Sequence, residues 1–375
     1  MRPLPAHAFL FPLAALYAAV AVPLSLPALT GGSTLVPGIA GPAGHAHELL
    51  FGFAAAVAAG YLINRASRIY LAALIGSWSV ARVAFLLFPG GWIASLAGAA
   101  FFALAAYATI PPFVRTAKKW RNRAVAVILS ALFGAGAAYA LSGLWAWEQG
   151  QRAVLALGVD AVTALMLFMG GRIIAPAVGG HMERCGVSQE ARVQPAIEGA
   201  LLVAMATAVV AGQISGAEPL RTTALAVAGG LAGVRLARWR LWRCPDRPDL
   251  ICLGVGYGWL AVGLLLQAAV AVGVAPFSMT AATHAVLVGA LGTLTITVMT
   301  RVRRLRVRDR VSGFALPATA VAVIAIAAVA RIAADGVPTW RTELLAVATA
   351  GWASAYALLL VALFLPAAGG GERRR

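Results

Sequence analysis

The stretch HAHELLFGFAAAVAAGYLI, residues 45–63, decides the fold: two histidines and a glutamate, then an uncharged run to Ile63. A bilayer's hydrocarbon core of roughly 30 Å takes about 20 apolar residues per helix, and this run has that length. The pattern recurs along the chain. Of its 375 residues, 61% are hydrophobic and only 11% are charged, against about 25% charged in a soluble domain. So few charges cannot clothe a water-exposed surface on a chain this long.

Apolar runs of this kind fall at residues 8–29, 45–63, 69–88, 91–112, 124–146, 153–176, 196–216, 220–236, 250–273, 279–300, 311–333 and 342–365. Gly31-Gly32, Pro89-Gly90-Gly91, Pro111-Pro112, Pro245, Pro276 and Pro338 punctuate the joins. Twelve spans use about 240 residues at that length and leave only short loops. The expected fold is therefore all-α, a polytopic transmembrane helix bundle of about twelve spans, with residues 1–375 as a single integral membrane domain. Residues 8–29 lack a basic leader and read as an ordinary first span, not a cleaved signal. The three cysteines, Cys185, Cys244 and Cys252, lack the spacing of a disulfide framework or zinc cluster.

The formal net charge is +17, which on a soluble protein would suggest nucleic acid. Here the basic residues sit between apolar blocks, and topology explains them better, so no nucleic-acid partner is expected. One set of alternating segments holds Arg2; Arg65 and Arg68; Arg115, Lys118, Lys119, Arg121 and Arg123; Arg172, Arg184 and Arg192; Arg235, Arg238, Arg240, Arg243 and Arg247; Arg301 to Arg310; and Arg373 to Arg375. The opposite set holds Arg152, Arg221, Arg331 and Arg341. The positive-inside rule puts the basic set, and with it both termini, in the cytoplasm. The bilayer itself is the first expected partner. Trp145, Trp147, Trp340 and Trp352 lie near span ends and suit an interfacial belt.

Polar groups inside lipid are costly and mark candidate sites. Of only five histidines, His45 and His47 open the second span and His284 lies about one turn into the tenth. All three are expected at the same outer depth. Neutral imidazole is a common ligand of haem iron and copper, so rings from these two spans could meet on one group. Residues two apart on a helix point about 200° apart. His45 and His47 therefore share a target only if the helix start is irregular, which Pro42 and Gly44 would allow. Glu48, three residues after His45 and on its face, could accept a proton from an imidazole and fix its tautomer, or complement the helix N-terminus. Gly52, Ala55, Ala56, Ala59 and Gly60, like Gly289 and Gly292, form small-residue stripes for close helix packing. Asp160 could pair with Arg82 or serve a proton path, Glu198 reads as a helix cap, and His181 with Cys185 has a spacing that could bind metal. The run Gly254 to Gly258 reads as helix packing. No phosphate loop, nucleophile elbow or paired carboxylates are present, so catalytic residues stay unassigned.

The stretch from His45 to Leu62 resembles the opening motif of the NnrS family. Gly170-Gly171-Arg172-Ile173-Ile174, the segment Arg235 to Trp242, Gly256-Tyr257-Gly258-Trp259-Leu260, and His284 to Gly292 running on to Arg301 are similar to further blocks of that family, in its order. The resemblance implies a twelve-span protein of the bacterial inner membrane that contains haem and copper. It further implies a role in the response to nitric oxide and nitrosative stress, during denitrification or host attack, with nitric oxide or a metal-nitrosyl species as partner. The family's histidines carry over onto His45, His47 and His284, with Glu48 supporting them. Gly254 stands where the family has a further histidine, Leu305 to Asp309 replace a Gly-His-Thr-Gly-Arg run, and Asn64 to Arg68 replace a Pro-Asn-Trp-Thr-Gly run. The chain is thus a divergent member, binding one cofactor rather than two, or none. The alternative is a small-solute transporter or channel of twelve spans that has lost cofactor binding. A third reading, an oxidoreductase acting on nitric oxide, lacks any visible electron-entry site.

Overall fold

The computed structural model describes residues 3–33, 36–115, 120–145, 147–187, 194–305 and 314–365. Arg2, Lys118, Lys119, Arg192, Arg306, Arg308, Arg310 and Arg373 to Arg375 of the expected basic set lie outside the described residues. Helices α1 (His7–Leu29), α2 (Pro42–His47), α3 (Ala55–Leu62), α4 (Arg68–Leu87), α5 (Trp92–Arg115), α6 (Trp120–Ser142) and α7 (Glu148–Arg184) are followed by α8 (Pro195–Ala211), α9 (Glu218–Trp239), α10 (Pro248–Ala271), α11 (Met279–His284), α12 (Leu291–Leu305), α13 (Ala315–Gly336) and α14 (Arg341–Phe364). Two π-helical segments, Glu48–Ala54 and Ala285–Ala290, join α2 to α3 and α11 to α12 without a break. Among the described residues there is no strand, only an isolated bridge between Leu4 and Ala66.

Among the described residues, helix runs through most of each expected span range. Nine helices among the described residues are long and apolar enough to cross a membrane, so the chain is a multi-pass, all-helical membrane protein. The other three expected ranges differ for physical reasons. The second is a composite of α2, the π segment and α3. The seventh, α8, has only 17 residues. The eighth, α9, carries Glu218, Arg221, Arg235 and Arg238. Helix starts follow local chemistry. Ser67 and Ser278 cap α4 and α11, accepting from Tyr70 N and Ala281 N at 3.2 Å each. Pro195 and Pro248 open α8 and α10, where a missing N–H costs nothing. Pro111-Pro112 does not end its span: α5 runs on to Arg115, although the two prolines supply no N–H to the carbonyls of Tyr107 and Ala108 one turn earlier.

The chain falls into two compact units, residues 1–165 and 166–375. In the first, α1 packs on the π segment and α3, and α5 packs between α4 and α6. In the second, α9 packs between α8 and α10, α10 against the π segment and α12, and α13 against α14. Arg247 holds Asp249 by two bonds of 2.9 Å, and Arg301 of α12 binds the same carboxylate, tying α10 to α12. Trp145, Trp147 and Trp340 are exposed, as a belt requires, but Trp352 is buried. Its ring lies 4.8 Å from that of Tyr356, tilted at 43°, against the space left by Gly292. Trp352 is a core residue in the middle of α14, not an interfacial one near a span end.

Candidate functional site

Within the first unit, the start of the second span is built around Glu48, which is fully buried. Arg82 of α4, itself 3% exposed, donates from Nη1 to Glu48 Oε1 at 2.6 Å. Tyr17 of α1 donates its hydroxyl to Glu48 Oε2. The carboxylate therefore ties α1 and α4 to the π segment. Gly52 makes the approach possible: a Cβ there would sit 3.0 Å from Arg82 Nη1 and 3.2 Å from the Tyr17 ring. Trp78 Nε1 donates to Gly52 O at 2.8 Å, occupying a carbonyl inside the widened turn.

His47 is 1% exposed. Its ring lies 4.3 Å from Tyr139, nearly parallel at 20°, and 4.2 Å from Phe85. Nδ1 is 2.7 Å from Glu48 Oε1. That approach is off the N–H axis and is an ion-pair contact rather than a hydrogen bond, as expected between chain neighbours. The negative oxygen still favours the proton on Nδ1. Nε2 has no hydrogen-bond partner among the described residues, although an unpaired buried polar atom is costly. The ring lines a cavity of about 320 Å³ together with Gly44, Arg82, Phe85, Ser95, Tyr139 and Gln151.

His45 takes a different support. Ser25 of α1 spends its hydroxyl proton on Val22 O at 2.8 Å, so its oxygen accepts from His45 Nδ1 at 2.9 Å. Glu48 thus lies against His47, and Ser25 against His45. In the second unit, His284 Nδ1 lies 2.7 Å from Thr280 O. A carbonyl only accepts, so that nitrogen carries the proton. In His45 and His284 the lone pair then rests on Nε2, whereas neither ring nitrogen of His47 has a hydrogen-bond partner among the described residues. Holding one ring N–H on a carboxylate, carbonyl or hydroxyl is how proteins orient ligating histidines.

The irregularity expected at Pro42 and Gly44 lies elsewhere. Residues 42–47 form ordinary α-helix, and the wide turns begin directly after His47. The same holds after His284. Each of these histidines is followed five residues later by a glycine, Gly52 and Gly289, inside the π segment. At Gly289 a Cβ would sit 2.4 Å from the Trp259 ring. Single π turns cluster at functional sites, and their coincidence with both histidine-bearing spans was not legible from periodicity.

The remaining candidates sort themselves. Arg82 is bound to Glu48, and Asp160 is buried in the same unit. Glu198, in the first turn of α8, is 8% exposed and lies 4.0 Å from both Arg172 and Arg235, so it does more than cap a helix. His181 Nε2 sits 3.2 Å from Asp246 and 3.8 Å from Cys185 Sγ. Among the described residues, no three His, Cys, Asp or Glu side chains converge as a metal cluster. The glycines of residues 254–258 serve packing: Cβ atoms at Gly254 and Gly256 would meet Leu241 at 2.4 Å and Leu294 at 2.7 Å.

No curated protein matches the chain. The NnrS protein family matches it over residues 5–367, nearly its whole length. The chain belongs to the NnrS family.

Proposed function

We propose that this is a twelve-span protein of a bacterial inner membrane, both termini cytoplasmic, that binds haem, copper or both and acts in the response to nitric oxide and nitrosative stress. Its ligands are His45, His47 and His284, with Glu48 and Ser25 orienting the first two. Family membership supports the role. The observation that supports the ligand assignment is the buried His47 ring, with no hydrogen-bond partner on either nitrogen among the described residues, beside a polar cavity; His45 and His284 are each held at Nδ1. This donor set fits a centre that asks one or two imidazoles of the protein, as haem iron does, rather than a four-ligand zinc-type site. When bound, such a group supplies a metal that takes a small diatomic ligand. The chain's own part is to hold the imidazoles in one tautomer, to shield His47 between Phe85 and Tyr139, and to offer a small polar cavity beside it.

The test is an optical spectrum with haem and copper analysis of the detergent-purified protein from haem-replete cells. The expected result is Soret absorbance or stoichiometric copper, reduced by His45→Ala, His47→Ala or His284→Ala. A colourless, metal-free protein contradicts the reading. The transporter alternative draws no support from the family match, and substrate-dependent uptake into proteoliposomes would revive it. Reporter fusions at both ends test the topology: cytoplasm-active reporters are expected to work at each terminus.

A further inference from the structure

The cavity beside His47 has an exposed rim and a buried floor. Pro37, Pro89 and Gly90 form the rim; His47, Arg82, Ser95 and Tyr139 form the floor. These residues meet where the segment before α2, the α4–α5 turn and the end of α6 come together in the first unit. By the alternation of basic segments this is the outer end. The rim backbones already touch the helices below them. A Cβ at Gly38 would sit 2.3 Å from Phe85 O, and one at Gly143 2.8 Å from Gly90 Cα. The space of about 320 Å³ is therefore held open by walls in contact. It is not slack packing that a small shift would close.

The rim carries no charge. On the floor Arg82 is the one permanently charged residue, and Glu48 answers it at 2.6 Å. Arg82 Nε and both ring nitrogens of His47 nevertheless have no hydrogen-bond partner among the described residues. Ser95 and Tyr139 each add a hydroxyl to the lining. Buried donors left unpaired are costly, and a guest that accepts hydrogen bonds would pair them. A charged guest would leave water with no counter-charge waiting, because Glu48 already balances Arg82. We infer that the cavity admits and binds small uncharged molecules that accept hydrogen bonds, held by Arg82 Nε, Ser95 and Tyr139, and brings them against the His47 ring. This deepens the proposed role of His47 and rests on it for the use made of the guest; entry and binding need no metal.

The experiment places a thiol on the floor by Ser95→Cys, in the full-length protein carrying Cys185→Ser, and follows its modification in nanodiscs by intact mass. Cys244 and Cys252 are buried. Methyl methanethiosulfonate, small and uncharged, is compared with its anionic sulfonatoethyl and cationic trimethylammonioethyl analogues. Each rate is taken relative to that of Pro89→Cys on the rim. The neutral reagent is expected to reach the floor at least about tenfold faster than either charged one. Ala140→Leu, which fills the space, is expected to slow the floor reaction and leave the rim unchanged. Ala94→Leu narrows the same space and decides the point if Ala140→Leu fails to fold. Acetamide, an uncharged acceptor, is expected to protect the floor thiol saturably. Tyr139→Phe is expected to weaken that protection by about fivefold, the worth of one neutral hydrogen bond. Equal relative rates for the three reagents, a rate untouched by filling the space, no protection by acetamide, or protection as strong in Tyr139→Phe overturns the proposal. A metal-free protein that labels as expected sinks the histidine ligation and supports the pocket.

Discussion

Glu48 in the first unit and Glu198 in the second are both buried against arginine, yet they are built differently. Glu48 meets one cation, Arg82, at 2.6 Å, receives the Tyr17 hydroxyl and faces His47. Glu198 meets two cations, Arg172 and Arg235, each at 4.0 Å. The first arrangement is closed and close to neutral, so its work is to fix geometry: it locks α1 and α4 to the turn that carries His47. The second joins α7, α8 and α9 through longer contacts, so it links helices rather than locking one turn. Burial alone does not separate the two; contact length and charge ratio do.

The largest expected effect breaks the closed cluster. Removing one partner of a buried ion pair strands the other and costs about 3–5 kcal/mol. Arg82→Met is therefore expected to lower the unfolding midpoint of the purified protein strongly, and Arg82→Met with Glu48→Gln to lower it less than the single change. The same substitution at Arg172, whose side chain is 35% exposed, is expected to cost less, under about 1 kcal/mol. Equal losses at the two sites would erase the distinction drawn here.

A second effect concerns support of the ligands. Groups that orient metal-binding histidines are typically worth about 10–100-fold in metal affinity. Ser25→Ala is expected to weaken copper or haem retention by that order in a competition titration, with the fold intact. An unchanged affinity would remove His45 from the ligand set. Smaller still is Tyr356→Phe, which deletes the 2.7 Å bond to Thr295 between α14 and α12. About 1 kcal/mol is expected in an unfolding titration. The mildest test is chemical: burial beside Asp246 pushes the Cys244 thiol up from its ordinary value, whereas Cys185 is exposed. Less thiolate at a given pH means slower alkylation. At neutral pH iodoacetamide is expected to label Cys185 first, and Cys244 only as pH rises or the protein unfolds.

Much of the architecture was legible because hydrocarbon imposes one period on the sequence: about 20 apolar residues, then a charge or a glycine. Helix α9 shows the limit, since Arg221 and Arg235 sit in a helix of otherwise span-like length. The histidines were legible as costly groups at span ends. What stands around them was not. Tyr17, Ser25, Arg82 and Tyr139 come from three other helices, and no spacing rule links positions that distant. The π segments left no period of their own, although a histidine followed five residues later by glycine recurs at both. Glu198 read as a cap because its arginine neighbours lie on α7 and α9, and Trp352 read as interfacial because only its packing on Gly292 and Tyr356 reveals it as core.

The most direct test is an X-ray absorption spectrum of the cofactor-loaded protein, in which imidazole rings give outer-shell scattering that counts them. The expected result is imidazole ligation in the wild type that falls by one ring in at least two of His45→Ala, His47→Ala and His284→Ala. A metal with no imidazole shell, or an unchanged count in all three variants, would contradict Nε2 ligation by these histidines.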